Sequence, residues 1–201
     1  MDDRVMIFVD GSNLLRGIGQ EINIEVNSLK PPDDLLSLAY MIVDLLWSTR
    51  LSHDHRVGAI DGRVIRRYWF GSFEGNEEDG IRLRESLRGH DFEPVLFHKP
   101  KRQGREKRVD LAIAREMLLN AFQHNYQVAV LVAGDEDYVD LVEDIKHFGI
   151  RVTGSFFSHR TSPKLTLAVD YFHELGIWGQ GAKELAEKLK KANPSLKSGE
   201  P

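Results

Sequence analysis

Two short apolar runs, each unbroken by charge, are the strongest structural signal in the sequence. They are Val5–Val9 and Val128–Ala133. Runs that are apolar on both faces are typical of strands buried in the centre of a parallel sheet. Three further segments, rich in β-branched and aromatic residues, also predict strands: Val64–Phe73, Phe92–Phe97 and Ile150–Phe157.

Apolar residues three or four positions apart predict the helices that separate these strands. The pair Pro31-Pro32 before Asp33 is expected to open a helix that ends near Arg50, since Pro is tolerated in a first turn. Further helices are expected over five segments: Asp79–Arg88, Val109–Phe122, Tyr138–Phe148, Pro163–Leu175 and Ala182–Ala192.

Strands and helices alternate along the chain, and this order predicts an α/β fold with a parallel sheet and helices on both faces. We expect one domain over residues 1–178. Residues 179–201 are expected to form a charged helical tail that is partly disordered, with a frayed end over Ser195–Pro201.

The composition narrows the class of protein. The 201 residues include 27 Lys and Arg against 31 Asp and Glu, a formal net charge of −4, so any site for a polyanion must be local. The absence of Cys excludes disulfides, thiol catalysis and Cys-ligated zinc. The longest apolar stretch, Leu35–Trp47, is too short to span a bilayer. With no signal peptide visible, we expect a cytoplasmic protein without membrane contact.

Acidic residues stand directly after both central strands. Asp10 follows the first and Asp135 closely follows the other, so both carboxylates are expected where open α/β sheets bind ligands, beyond the carboxyl ends of the strands. Asp137 lies two residues further on, and Asp110 opens the preceding helix. Each acid alone is more simply explained as a turn or helix-cap residue. The site hypothesis therefore depends on their convergence.

Carboxylates gathered at one edge repel one another and raise each other's pKa values, and a divalent cation relieves that repulsion. Hard oxygen ligands favour Mg²⁺ or Mn²⁺ over zinc. One or two such ions can polarise a phosphate and activate water for phosphodiester hydrolysis. The predicted catalytic and metal-binding residues are thus Asp10, Asp110, Asp135 and Asp137.

Two kinds of substrate-binding residue accompany these acids. Asn13 and Ser12 follow Asp10, although either also suits a cap or turn. The segment Lys99–Arg108 holds six basic residues and one acid beside Asp110, and is expected to bind phosphates without reading sequence. A solubilising loop is the alternative interpretation. The candidates within this segment are Lys101, Arg102, Arg105, Lys107 and Arg108.

Three blocks of the sequence resemble the NYN domains of the PIN-like superfamily, including their bacterial LabA-like group. The blocks are FVDGSNL (Phe8–Leu14), KRVDLAIAREML (Lys107–Leu118) and LVAGDEDYVDLVEDIKHFGIRV (Leu131–Val152). The resemblance implies a Rossmann-like fold, ribonuclease chemistry that depends on Mg²⁺ or Mn²⁺, and RNA as the partner. It also implies that the site acids and their accompanying amide are Asp10, Asp110, Asp135, Asp137 and Asn13.

Three other functions are weighed against this interpretation. One is a non-catalytic RNA-binding or regulatory module that keeps the acidic pocket. Another is a different Mg²⁺-dependent phosphoesterase, although the phosphatases that use an aspartyl nucleophile need a second acid two residues later, where Ser12 stands. A dinucleotide-binding domain is disfavoured because no GxGxxG motif follows the first strand. A homodimer is compatible with the sequence.

Overall fold

The structure, a computed structural model, describes residues 3–48, 62–99, 107–177 and 180–192. In these ranges six strands form one parallel sheet: β1 (Arg4–Asp10), β2 (Arg63–Phe73), β3 (Glu93–His98), β4 (Val128–Val132), β5 (Arg151–Phe156) and β6 (Tyr171–Glu174). The α-helices are α1 (Gly11–Glu21), α2 (Asp33–Ser48), α3 (Glu77–Gly89), α4 (Lys107–Phe122), α5 (Val139–His147), α6 (Pro163–Ala168) and α7 (Gln180–Ala192). The predicted α/β class is confirmed.

The strand order is β3-β2-β1-β4-β5-β6, and all adjacent strands are parallel. Successive strands move outwards from β1 on one side, and the chain then crosses to β4 and moves outwards on the other. The order therefore reverses between β1 and β4, where Val9 pairs with Val132. In an open α/β sheet, the usual ligand site is beyond the carboxyl ends of the two strands between which the order reverses.

Two apolar cores, one on each face of the sheet, explain why β1 is apolar throughout. Alternate residues of a strand point to opposite faces. Ile7 and Val9 pack into one core with α1, α2 and α7, whereas Met6 and Phe8 pack into the other with α4 and α5. Both faces of β1 are thus covered, as its unbroken apolar run predicts.

Helix α1 was not among the elements predicted from the sequence. Gly11, Gly17 and Gly19 lower its intrinsic helix propensity and conceal the pattern. The structure gives two of these glycines a packing role. A Cβ on Gly11 would lie 2.2 Å from Nε1 of Trp69, and one on Gly17 would lie 2.9 Å from the Phe156 ring. Close approach of α1 to the sheet explains why these positions lack side chains.

The helix predicted over Pro163–Leu175 is wrong in its second half. Helix α6 ends at Ala168, and Tyr171–Glu174 form the edge strand β6, paired in parallel with β5. Asp170 fixes the change of direction, because its Oδ2 accepts a 2.7 Å hydrogen bond from the Val152 amide of β5. The new backbone pairing is a tertiary contact that helical spacing does not reveal.

Helix α7 packs against α2 and buries Ala182, Ala186 and Leu189 in the core shared with α1. The predicted domain boundary after residue 178 falls at 178–179, outside the described residues, as does the segment 193–201 with its expected frayed end. The segment 49–61, where the predicted end of α2 and the following loop fall, is also outside them. None of the described helices combines the length and apolar character needed to cross a membrane.

Candidate active site

Asp10 occupies the junction of β1 and α1, next to the place between β1 and β4 where the strand order reverses. This place is the switch point of the sheet. Its Oδ1 accepts a 2.9 Å hydrogen bond from the Asn13 amide, which makes Asp10 the N-cap of α1. Its Oδ2 accepts a 2.9 Å hydrogen bond from the Tyr138 hydroxyl. The residue is only 3% exposed, and this burial raises the pKa of the Asp10 carboxyl to about 6 even though both hydrogen bonds act to lower it.

The Asn13 side chain joins the ends of the two central strands. Its Nδ2 donates a 2.7 Å hydrogen bond to Oδ2 of Asp135, and its Oδ1 accepts a 3.1 Å hydrogen bond from the Gly134 amide. Asn13 follows β1 and the other two residues follow β4, so one amide group fixes the relative positions of both strand ends. A direct contact between Asn13 and a substrate stays a prediction.

The Tyr138 hydroxyl lies between two of the predicted acids. It donates to Oδ2 of Asp10 and lies 3.2 Å from Oδ1 of Asp110, in the first turn of α4. Burial, followed by the negative charges of both acids, raises the pKa of Tyr138 far above its ordinary value, so the hydroxyl keeps its proton. Tyr138 is not among the residues predicted from the sequence, where an aromatic at a helix start is typical of core packing.

Asp135 and Asp137 complete the acidic group from the connection after β4. Both are exposed, and Asp137 lies in the short 3₁₀ turn Glu136–Tyr138 that leads into α5. Although the residue as a whole is exposed, partial desolvation of its carboxyl raises the pKa of Asp135, and the negative charges of Asp110 and Asp137 raise it further. Asp110 also raises the pKa of Asp10. The four acids are therefore electrostatically coupled in pairs across three segments of the chain.

Arg16 supplies positive charge to the same site and was also missed. It is exposed on α1, and its charge acts to lower the pKa values of both Asp10 and Asp135. Its spacing of three residues from Asn13 places the two side chains on neighbouring positions of a helix. That spacing could have identified Arg16 if the glycine-rich α1 had been predicted.

The other predicted substrate-binding residues differ in their exposure, and some lie outside the described residues. Ser12 is 2% exposed, and its hydroxyl lacks a hydrogen-bond partner within the described protein, so this packing does not support direct contact with a substrate. Arg108 is exposed, with its guanidinium carbon 4.8 Å from the centre of the Phe97 ring. Lys107 begins α4, although its side chain is not among the described groups. Outside the described residues are Lys101, Arg102 and Arg105.

The donor chemistry of the site fits a hard divalent cation. The four acids offer oxygen ligands, which Mg²⁺ and Mn²⁺ prefer. They do not form a ready cage, since no three acidic or histidine side chains of the described residues are grouped closely enough to hold a metal ion. Hydrogen bonds already orient both oxygens of Asp10, and the mutual repulsion of the other acids opposes closer grouping.

Comparisons with known proteins define the family. The model of the NYN domain matches residues 4–176, and the chain belongs to this family, which is part of the PIN-like nuclease superfamily. No curated protein matches the chain. The chain is similar in fold to a crystal structure of a protein of unknown function from Vibrio parahaemolyticus, with a TM-score of 0.58 and 20% identity, covering 86% of this chain and 93% of that one.

Proposed function

We propose that this NYN protein is a metal-dependent ribonuclease of the LabA-like group that hydrolyses RNA phosphodiester bonds at the acidic crevice between β1 and β4. One observation carries the proposal: acids from three segments are linked at the switch point of the sheet. Tyr138 joins Asp10 to Asp110, and Asn13 joins the end of β1 to Asp135. Membership of a nuclease superfamily supports the same conclusion.

The residues that would hold Mg²⁺ or Mn²⁺ are the four coupled acids, Asp10, Asp110, Asp135 and Asp137. When bound, the metal supplies a Lewis acid for the phosphate and lowers the pKa of a water molecule. Its positive charge would also offset the repulsion among the acids.

Other side chains would bind and orient the RNA. Arg16 is exposed and its charge acts on Asp10 and Asp135, so we expect its guanidinium group to hold a phosphate oxygen beside these acids. Asn13 keeps Asp135 oriented. The basic segment before Asp110 would bind the RNA backbone further from the reacting phosphate, through Lys101, Arg102, Arg105, Lys107 and Arg108.

A second candidate function is a non-catalytic RNA-binding module. It is favoured by the lack of a ready metal cage among the described acids and histidines. Under this alternative, Arg16 and the basic segment bind RNA, while the acids serve only as caps and hydrogen-bond partners.

One experiment on the wild-type protein distinguishes the ribonuclease from the non-catalytic RNA-binding module. End-labelled single-stranded RNA is incubated with the protein and Mn²⁺, Mg²⁺ or EDTA, and binding is measured in parallel with cleavage. The proposal predicts cleavage with Mn²⁺ or Mg²⁺ and none with EDTA. RNA binding without cleavage under all three conditions would contradict the proposal and favour the non-catalytic module.

A further inference from the structure

The hydroxyl of Tyr138 has an unusual position for a buried aromatic residue. The residue is 3% exposed and packs in the core that contains α4 and α5. Its hydroxyl nevertheless reaches the site, at 2.9 Å from Oδ2 of Asp10 and 3.2 Å from Oδ1 of Asp110. One group anchored in the core thus contacts two acids that come from β1 and α4.

We propose that Tyr138 is a positioning residue: its hydroxyl fixes the Asp10 and Asp110 carboxylates relative to each other, so that less rearrangement of the acids is needed to bind a divalent cation. The inference rests on the metal-dependent function proposed above and adds a residue that does not itself ligate the metal. Tyr138 directly follows Asp137 and lies in the same 3₁₀ turn, so this turn delivers both an acid and the group that orients two others.

The two acids that Tyr138 contacts differ in burial. Asp10 is buried and is also fixed by the Asn13 amide. Asp110 is exposed in the first turn of α4. Tyr138 therefore orients Asp110 relative to the fixed Asp10, and its neutral hydroxyl shields two carboxylates that would otherwise repel each other.

A hydrogen bond from Tyr138 does not prevent either acid from binding a cation. Each carboxylate offers about four lone-pair positions on its two oxygens. A single hydroxyl proton occupies one of these at a time, so acceptor positions remain for a metal ion. Groups that hydrogen-bond to metal ligands in this way typically change metal affinity by about 10- to 100-fold when they are removed.

A matched control exists in the same core. The Tyr126 hydroxyl is buried and donates a 2.9 Å hydrogen bond to the Met117 carbonyl, away from the acids. Tyr126→Phe and Tyr138→Phe each remove one buried hydroxyl and keep the ring. A purely structural role for Tyr138 therefore predicts the same metal binding in both variants.

The test is calorimetric titration of the full chain with Mn²⁺, for wild type and both variants, with circular dichroism as the check of folding. Tyr138→Phe is expected to weaken Mn²⁺ binding by about 10-fold or more, and Tyr126→Phe by less than about twofold. Replacement of Tyr138 by 4-aminophenylalanine, which keeps an N–H donor at the same place, is expected to restore most of the affinity. Should Tyr138→Phe lose its native spectrum, 4-fluorophenylalanine provides a second variant that lacks the donor.

Each outcome separates this inference from the proposed function. If the wild type binds Mn²⁺ and the folded variants without a donor at position 138 bind it equally well, the positioning role is wrong and the metal site stands. If the wild type does not bind Mn²⁺ at all, the proposed metal-dependent function fails, and the inference fails with it.

Discussion

Asn13 donates a 2.7 Å hydrogen bond to Asp135, and this single contact connects the ends of the two strands between which the sheet changes direction. The same side chain accepts a hydrogen bond from Gly134. The candidate site is therefore held together at the centre of the sheet, between the ends of β1 and β4.

Asn13→Ala is expected to lower the rate of metal-dependent RNA cleavage by about 10- to 100-fold, because Asp135 loses the amide that orients it. The same change should destabilise the fold by only about 1–3 kcal/mol, the usual net contribution of two intramolecular hydrogen bonds. Cleavage at saturating Mn²⁺ and unfolding in urea measure the two effects. Asn125→Ala is the control, since that side chain bonds to Asn120 and Gln123. Equal cleavage by the two variants would contradict the role given to Asn13.

Asp10→Asn is expected to stabilise the metal-free protein at pH 7.5. Burial raises the pKa of Asp10 from 3.8 to about 6, so the folded state binds this proton more tightly than the unfolded state. Above pH 6 the ionised carboxylate therefore destabilises the fold by about 3 kcal/mol, at 1.36 kcal/mol for each pKa unit. As the pH falls from 6 to 4, protonation of the folded form removes this penalty.

Urea unfolding in EDTA at several pH values tests this linkage. The free energy of unfolding of Asp10→Asn should exceed that of the wild type at pH 7.5, and the difference should shrink steadily between pH 6 and pH 4. A difference that is independent of pH, or a less stable variant at pH 7.5, would show that burial does not dominate the ionisation of Asp10.

The sequence predicts that Asp10 and Asp135 stand beyond the ends of two central strands, but it does not reveal the groups that act on these acids, Tyr138 and Arg16. Asp10 and Asp135 follow apolar strands, and the rule that ligands bind beyond the carboxyl ends of parallel strands is enough to bring them together. Tyr138 contacts acids from distant segments, and the charge of Arg16 acts on Asp10 and Asp135. A buried aromatic residue has the same sequence pattern whether or not its hydroxyl reaches a site, and the glycines of α1 conceal the helix that carries Arg16.

The contrast between local sequence patterns and contacts between distant segments also explains why five strands were predicted and the sixth was not. Five strands were predicted from their own composition, whereas β6 has only four residues and is defined by its pairing with β5. Tyr171 at its start is 58% exposed, and none of the four residues is fully buried. The segment therefore lacks the apolar pattern by which a buried strand is predicted. Short edge strands of this kind are specified by the sheet that they join more than by their own residues.

Arg16→Gln is expected to raise the KM for RNA and to lower kcat/KM by about 10-fold, the effect of losing one charge-assisted hydrogen bond to a phosphate. Arg88→Gln, at an exposed position in the last turn of α3, is the matched control and should leave both constants unchanged. Steady-state cleavage of a short labelled RNA gives both values. An unchanged kcat/KM in Arg16→Gln would remove this residue from the proposed substrate site.

The basic segment is expected to control the salt dependence of RNA binding. Replacing Lys101, Arg102 and Arg105 together by Gln should reduce the slope of log Kd against log salt by about 2, because each phosphate contact on a single strand contributes about 0.7. Fluorescence anisotropy of labelled RNA in EDTA measures the slope without cleavage. A variant with Gln at Lys183, Lys190 and Lys191 of α7 is the control of equal charge. If both variants reduce the slope equally, the segment does not bind RNA specifically, and the interpretation as a solubilising loop is favoured.

The most direct test of the central claim is cleavage of single-stranded RNA with Mn²⁺ by the wild type, Asp135→Asn and Asp144→Asn. Asp135 lies in the acidic group, whereas Asp144 is exposed on α5 and serves as the control for the loss of one carboxylate. The account predicts cleavage by the wild type and Asp144→Asn, and a loss of at least about 100-fold in Asp135→Asn, since metal ligands are essential to this chemistry. Wild-type cleavage rates in Asp135→Asn would contradict it.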